Sequence, residues 1–189
     1  QAGVAEGFTR RLAERVGSDR VGHGIEDGTQ LGPVIDADAR ERIDGLVRDA
    51  VAGGSRVLAG GSALDRPGYF YAPTVLADVP ADARVMTEEI FGPVAPIVTF
   101  DTEDEAVALA NSTPFGLISY VFTTDLARSL RLAERIETGM LAVNSGMSSN
   151  PAAPFVGVKQ SGLGREGSAE GIEEYLETVY VGIADHYAR

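Results

Sequence analysis

Apolar positions recur at every fourth residue where the chain begins. Val4, Phe8, Leu12 and Val16 make one stripe and predict a first helix, with Gly17 just past it as a stop. Residues 18–33 are rich in Gly and Asp and close on Gly32-Pro33, which reads as a loop. A second helix is expected from about Asp36 or Asp38, with Ile43, Leu46, Val47, Ala50 and Val51 on one face and Gly53-Gly54 at its end. Arg56 to Ala59 is a short strand closed by Gly60-Gly61. Tyr69 to Leu76 is aromatic and β-branched and reads as strand, although Pro73 points to an edge or a break.

The middle of the chain is the most regular. Val94 to Phe100 has the length and apolarity of a buried strand, and Thr102 with Glu105 forms a capping box ahead of a helix that buries Ala106, Val107, Leu109 and Ala110. Ile118 to Phe122 is the next strand. Asp125 starts a further helix with Leu126, Leu130, Ala133 and Ile136 in register and Gly139 at its end, and Met140 to Asn144 is a third strand. Alternating helices and nearly all-apolar strands predict an α/β fold with parallel pairing. From Asn144 to Gly167, Ser, Gly, Pro and Asn dominate, an irregular stretch too long for a compact domain unless it has a task. A short helix at Ser168 to Leu176 and a last strand, Thr178 to Ile183, complete the pattern. That strand follows the finished parallel units, so it is expected to pair elsewhere, with another subunit as the candidate.

Composition narrows the chemistry. With 16 basic and 28 acidic residues among 189, the net charge of −12 argues against phosphate backbones and anionic lipid as partners. No apolar run is long enough for a membrane helix, and the start does not read as a signal peptide, so a cytoplasmic location is expected. There is no cysteine, which excludes a disulfide scaffold, a thiolate metal site and a cysteine nucleophile within these residues. His23 and His186 are far apart and no carboxylate cluster has ligand spacing, so no metal site is expected. Gln1 in place of an initiator Met is read as the start of a piece of a longer protein.

Two motifs carry candidate chemistry. Gly162-Leu163-Gly164-Arg165-Glu166-Gly167 matches G-x-G-x-x-G by letter, but that fingerprint needs a buried strand before it and a full helix after it. Neither is predicted, so it is read as a decoy. Glu88-Glu89-Ile90-Phe91-Gly92-Pro93 sits just ahead of a buried strand, where a carboxylate can accept hydrogen bonds from a ribose diol. Its alternative is a solvated pair of acids with Phe91 in the core. The letters leave both open.

With Asn111-Ser112-Thr113-Pro114-Phe115-Gly116-Leu117, Gly139-Met140-Leu141-Ala142-Val143-Asn144 and the run from Pro154 to Gly167, the Glu88–Pro93 motif resembles the aldehyde dehydrogenase superfamily. Order and spacing match over essentially the whole chain, including Leu31-Gly32-Pro33, and Ser161–Gly167 with Gly171-Ile172-Glu173-Glu174-Tyr175-Leu176 resembles the succinate-semialdehyde dehydrogenase branch. The resemblance implies a partial parallel-sheet catalytic domain over residues 1–176, lacking its nucleophile, and an oligomerisation strand and tail over residues 177–189. It implies NAD- or NADP-dependent oxidation of an aldehyde to an acid, through a cysteine, a glutamate base and an asparagine donor. In the family these lie before the part matched here, so the chain resembles the C-terminal part of such an enzyme and is expected to be inactive alone.

By the same resemblance, Glu89 binds the nicotinamide ribose, Phe91 lies beside it, and Arg42 stands where a family lysine reaches the other ribose. Phe155 is a wall of the aldehyde tunnel, Ser149 meets the substrate carboxylate, and Glu166 belongs to a proton relay, with an ion pair to Arg165 or Lys159 as its alternative. Val156 stands where the family usually has glycine, a β-branched residue with fewer backbone choices. The partners implied are a small aldehyde, the missing N-terminal half and further copies of the chain. A noncatalytic binding or assembly module built on this fold is the competing reading.

Overall fold

The computed structural model describes residues 1–184, so His186 and the end of the expected tail lie outside the described residues. The chain divides into two compact units, the first ending at Thr113 and the second starting at Pro114.

The first unit is built around one helix. In α2 (Ala37–Ala52) Asp36 is the N-cap, and its carboxylate accepts from the Ala39 amide at 2.7 Å. Ile43, Leu46, Val47 and Ala50, all within 2% of full burial, then face the core as the 3.6-residue period requires. They pack with Tyr71, Leu76, Val79 and Val85. The sheet beside them has the order β1 (Arg56–Ala59), β2 (Thr74–Ala77), β3 (Val94–Pro96). β1 runs antiparallel to β2, while β2 and β3 are parallel, with Thr74 opposite Val94. The strand expected from Tyr69 is thus shorter, and β2 is central rather than an edge. Pro73 immediately precedes the strand's first residue, so its missing N–H removes no ladder bond. Tyr71 forms only an isolated bridge with Ala63.

Helix α1 (Ala2–Gly17) forms where predicted, but only the second half of its expected stripe turns inward. Thr9 is its buried residue, flanked by half-buried Ala5, Leu12, Ala13 and Val16, whereas Val4 and Phe8 are 64% and 58% exposed. Small side chains let the helix approach β1 and β2 closely, so they, not the largest apolar residues, define the contact. In α4 (Glu103–Asn111) the expected N-cap forms, with Thr102 Oγ1 accepting from the Glu105 amide at 3.2 Å, while Glu105 reaches back one residue beyond the cap to accept from the Asp101 amide at 2.9 Å. Val107 is its buried residue.

The second unit pairs β5 (Ile118–Val121) with β6 (Met140–Val143) in parallel across α5 (Leu126–Arg135), whose N-cap Asp125 accepts from the Arg128 amide at 3.0 Å. The expected run of three parallel strands is therefore two separate ladders, β2–β3 and β5–β6. Ser129 and Leu132 are the buried residues of α5, while Leu126 and Leu130 are exposed. Residues 144–167 contribute three strands to two short antiparallel ladders: β8 (Val158–Lys159) pairs with the earlier β4 (Phe115–Gly116), and β7 (Phe155–Val156) with β9 (Arg165–Glu166). Gly139 does not end α5, which stops at Arg135. A Cβ at Gly139 would lie 1.9 Å from the Val156 carbonyl oxygen, so only glycine fits there. A single turn, α6 (Glu170–Glu173), follows. Residues 178–183, expected as a strand, make no ladder within the described residues and expose Val179, Tyr180, Val181 and Ile183.

Candidate functional site

Between the single-turn helix α3 (Arg84–Thr87) and β3 runs the acidic motif, which α2 holds from two sides. The Arg84 guanidinium donates to both Glu88 oxygens, at 2.6 and 3.2 Å, and also to Asp49 on α2. Hydrogen bonding to Arg84 holds the Glu88 carboxyl below the usual carboxylate range, and Arg84 is correspondingly raised. Seven residues earlier on α2, Arg42 donates from Nη1 to the Glu89 carbonyl at 2.8 Å and from Nη2 to the Ile90 carbonyl at 2.9 Å.

Two adjacent acids thus have different circumstances. Glu88 is tied to Arg84, whereas Glu89 is exposed, and among the described residues its carboxylate has no hydrogen-bond or ion-pair partner. Phe91, two residues on, is 79% exposed and so is not a core residue; it sits at φ +43°, a conformation unfavourable for a bulky side chain. Gly92 follows because the backbone lies against Ile43: a Cβ there would be 2.3 Å from Ile43 Cδ1. A free carboxylate, acceptor-only with two oxygens, beside a bare aromatic face is a donor-seeking, flat-ligand surface.

In the second unit, β7 and β9 set Phe155 directly opposite Glu166. Both line a cavity of about 250 Å³ together with Ser148, Ser149, Asn150 and Met140. Three residues named from the sequence, Ser149, Phe155 and Glu166, therefore share one cavity, whose lining carries hydroxyls, an amide and a carboxylate but no cation. The Asn150 side chain accepts from the Ala152 amide at 2.9 Å and shapes the turn beside Ser149. The alternative partners of Glu166 are not found: Lys159 pairs with Glu137 at 2.6 Å, and Glu166 has no ion pair among the described residues.

Gly162–Gly167 is preceded by the two-residue strand β8 and followed by the four-residue α6, and Leu163 at its tip is 99% exposed. Lacking both a buried strand and a helix start, it is no phosphate-binding turn. Among the described residues no group of His, Cys, Asp and Glu could hold a metal ion, and no helix is long and apolar enough to cross a membrane. The Arg84–Asp49 link and the contact of Gly92 with Ile43 were not read from the sequence. The four-residue spacing of Arg84 and Glu88 is the one signal that pointed there.

The Aldehyde dehydrogenase family model matches residues 1–181, and the chain belongs to that family. Among individual relatives, it is 53% identical over 187 residues to a succinate-semialdehyde dehydrogenase of Paenarthrobacter nicotinovorans, covering 99% of this chain and 42% of the relative. It is 47% identical to a glutarate-semialdehyde dehydrogenase of Pseudomonas putida, covering 97% of this chain and 38% of that one. The crystal structure of succinate-semialdehyde dehydrogenase from Burkholderia pseudomallei superposes with a TM-score of 0.88 at 45% identity, covering 91% of this chain and 36% of that chain. An E. coli NADP-dependent enzyme gives 0.90, also at 45% identity, with 93% and 36% covered. The chain thus spans about two fifths of the length of its relatives, and its α/β fold is that of part of an aldehyde dehydrogenase.

Proposed function

We propose that this chain is the C-terminal part of an NAD- or NADP-dependent aldehyde dehydrogenase that oxidises a carboxylated aldehyde, succinic semialdehyde first, to the acid. The observation that carries the coenzyme half is the contrast between adjacent acids: Glu88 is committed to Arg84, and Glu89 is free beside exposed Phe91. Glu89 accepts from the nicotinamide ribose and Phe91 flanks the ring, while Arg42, expected at the other ribose, has both terminal nitrogens on the Glu89 and Ile90 carbonyls and supports the subsite from behind. Bound there, the nicotinamide accepts the hydride.

The substrate half draws on the cavity of the second unit. Phe155 forms its apolar wall, the Ser149 hydroxyl donates to the substrate carboxylate, and Glu166 passes a proton to or from water. Relatives named for succinate and glutarate semialdehydes support an anionic aldehyde. Since the lining has no cation, the charge opposite that anion is supplied by the longer protein. So is the thiolate, because these residues include no cysteine. The unit boundaries follow the same reading: residues 1–176 are catalytic-domain scaffold, and residues 177–189 carry an oligomerisation strand, in a cytoplasmic homo-oligomer.

The test is turnover. The intact protein is expected to reduce NAD⁺ or NADP⁺ with succinic semialdehyde, and the 189 residues alone are expected to be inert; robust turnover by these residues alone overturns the reading. A reading frame that runs upstream of Gln1 through a cysteine supports the C-terminal placement. One that reaches its cysteine only beyond Arg189 reverses it. A frame with none favours the noncatalytic module.

A further inference from the structure

We infer that Arg42 is a positioning residue, whose forked guanidinium sets the backbone that presents Glu89 and Phe91. The inference deepens the coenzyme reading above and rests on it. Side-chain identity at 42 matters because two successive carbonyls, those of Glu89 and Ile90, are met at 2.8 and 2.9 Å by two different nitrogens. A planar guanidinium can span both acceptors in a fixed geometry, whereas a lysine ammonium is a point donor on a flexible stem. Both terminal nitrogens are thereby engaged with the main chain, so Arg42 acts on a coenzyme through that main chain.

The segment needs such a hold. Phe91 at φ +43° is a strained position that persists only where surrounding contacts over-determine it. Three residues of α2 supply those contacts. Arg42 fixes the two carbonyls, Gly92 lies close against the Ile43 side chain, and Asp49 anchors Arg84, which in turn holds Glu88. Glu89 itself is left out of this set, with only its backbone held. Removing Arg42 leaves the carboxylate present but frees its main chain to rotate. The consequence is a carboxylate that no longer waits where a ribose diol would meet it.

The test uses Arg42→Met and Arg42→Lys in the intact protein, with Glu89→Gln as reference. In the absence of coenzyme, hydrogen exchange of the Glu88 and Val94 amides, which bracket the loop and donate to the Arg84 and Gly92 carbonyls, is expected to quicken about tenfold or more in R42M, the scale of losing charge-assisted hydrogen bonds. The interior amides of α2 are expected to keep their protection, because Arg42 is exposed and outside the core. Titration with NADH and with NADPH, read by nicotinamide fluorescence, is expected to show weaker binding in R42M by about the same factor. KM for the coenzyme rises more than kcat falls, and R42K recovers only part of either loss. Unchanged exchange of the Glu88 and Val94 amides in both variants overturns the inference. So does intact coenzyme affinity in R42M when E89Q binds weakly. If E89Q binds both nucleotides as the parent does, the coenzyme reading of Glu89 fails instead, whatever the exchange data say. Should R42M not fold, R42K carries the same comparison, and exchange in R42K identical to the parent overturns the requirement for a fork.

Discussion

The two units of this chain are held together by different means. In the first, Ile43, Leu46, Val47, Phe70, Tyr71, Val75 and Leu76 are essentially inaccessible, and one helix supplies three of the seven. In the second, Leu132 and Ala142 are the buried apolar residues among those described, while Phe122, Leu126 and Leu130 lie 60–73% exposed. What order the second unit has comes from short backbone ladders and from close main-chain approach at Gly139. Apolar burial is the dominant favourable term in folding, so a unit without it draws its stability from elsewhere. The first unit closes its own interior; the second presents apolar surface of the kind that marks a contact with something else.

The sharpest way to break this contrast is to truncate equivalent leucines in each unit. Leu46→Ala is expected to cost about 2–5 kcal/mol, because it opens a cavity in a filled core. If chemical denaturation shows less than about 1 kcal/mol, the first unit's core is not what holds it. Next in size is Gly139→Ala, expected to cost about 1–3 kcal/mol as the Val156 carbonyl is pushed away from a methyl that has no room. A silent G139A would mean that the second unit is too loose for close approach to matter.

A smaller effect is tied to pH. Glu88 has a depressed carboxyl pKa in the folded state, so the unfolded chain binds its proton more readily, and its contribution is present above the ordinary value of about 4.3. It is lost as pH falls through the lowered value. Arg84→Met is therefore expected to flatten the acid limb of the stability–pH curve, measured from pH 6 downward; an unchanged limb would show that the pair contributes nothing. Smallest of all is Leu130→Ser on the exposed face of α5, expected to stay within about 0.5 kcal/mol. A large loss there would reveal that this face is covered in solution, and light scattering of parent and variant would show whether copies of the chain cover it.

The same contrast explains what could be read from the letters. α2 was legible because its cap, its period and its closing glycines all agree, and the capping residues of α4 and α5 were legible because a hydroxyl or carboxylate three residues ahead of an amide is a local device. α5 was read with the wrong face inward, and α1 in part, since Leu12 and Val16 of its stripe turn inward while Val4 and Phe8 do not. Large apolar side chains outvote small ones in any stripe, yet Thr9 is the buried residue of α1 against β1 and β2, and Ser129 is buried with Leu132 in α5. Residues 178–183 were expected as a strand but form no ladder within the described residues, and their apolar side chains stay exposed. In the candidate site, the acidic pair was visible but its division of labour was not. That division depends on Arg84 reaching Glu88 and Asp49, the second of them 35 residues away in sequence. Ser149, Phe155 and Glu166 needed the β7–β9 ladder to meet, a pairing too short for any periodicity to announce.

One consequence of α2 concerns engineering. A designer who wished to move the Glu89–Phe91 loop into another scaffold would find that the loop does not carry its own shape. Arg42, Ile43 and Asp49 act as its mould, and they lie within two turns of a single helix. The transplantable cassette is therefore a helix and a loop separated by more than thirty residues of chain. A graft of residues 84–93 alone would bring the letters of the motif and leave its conformation behind.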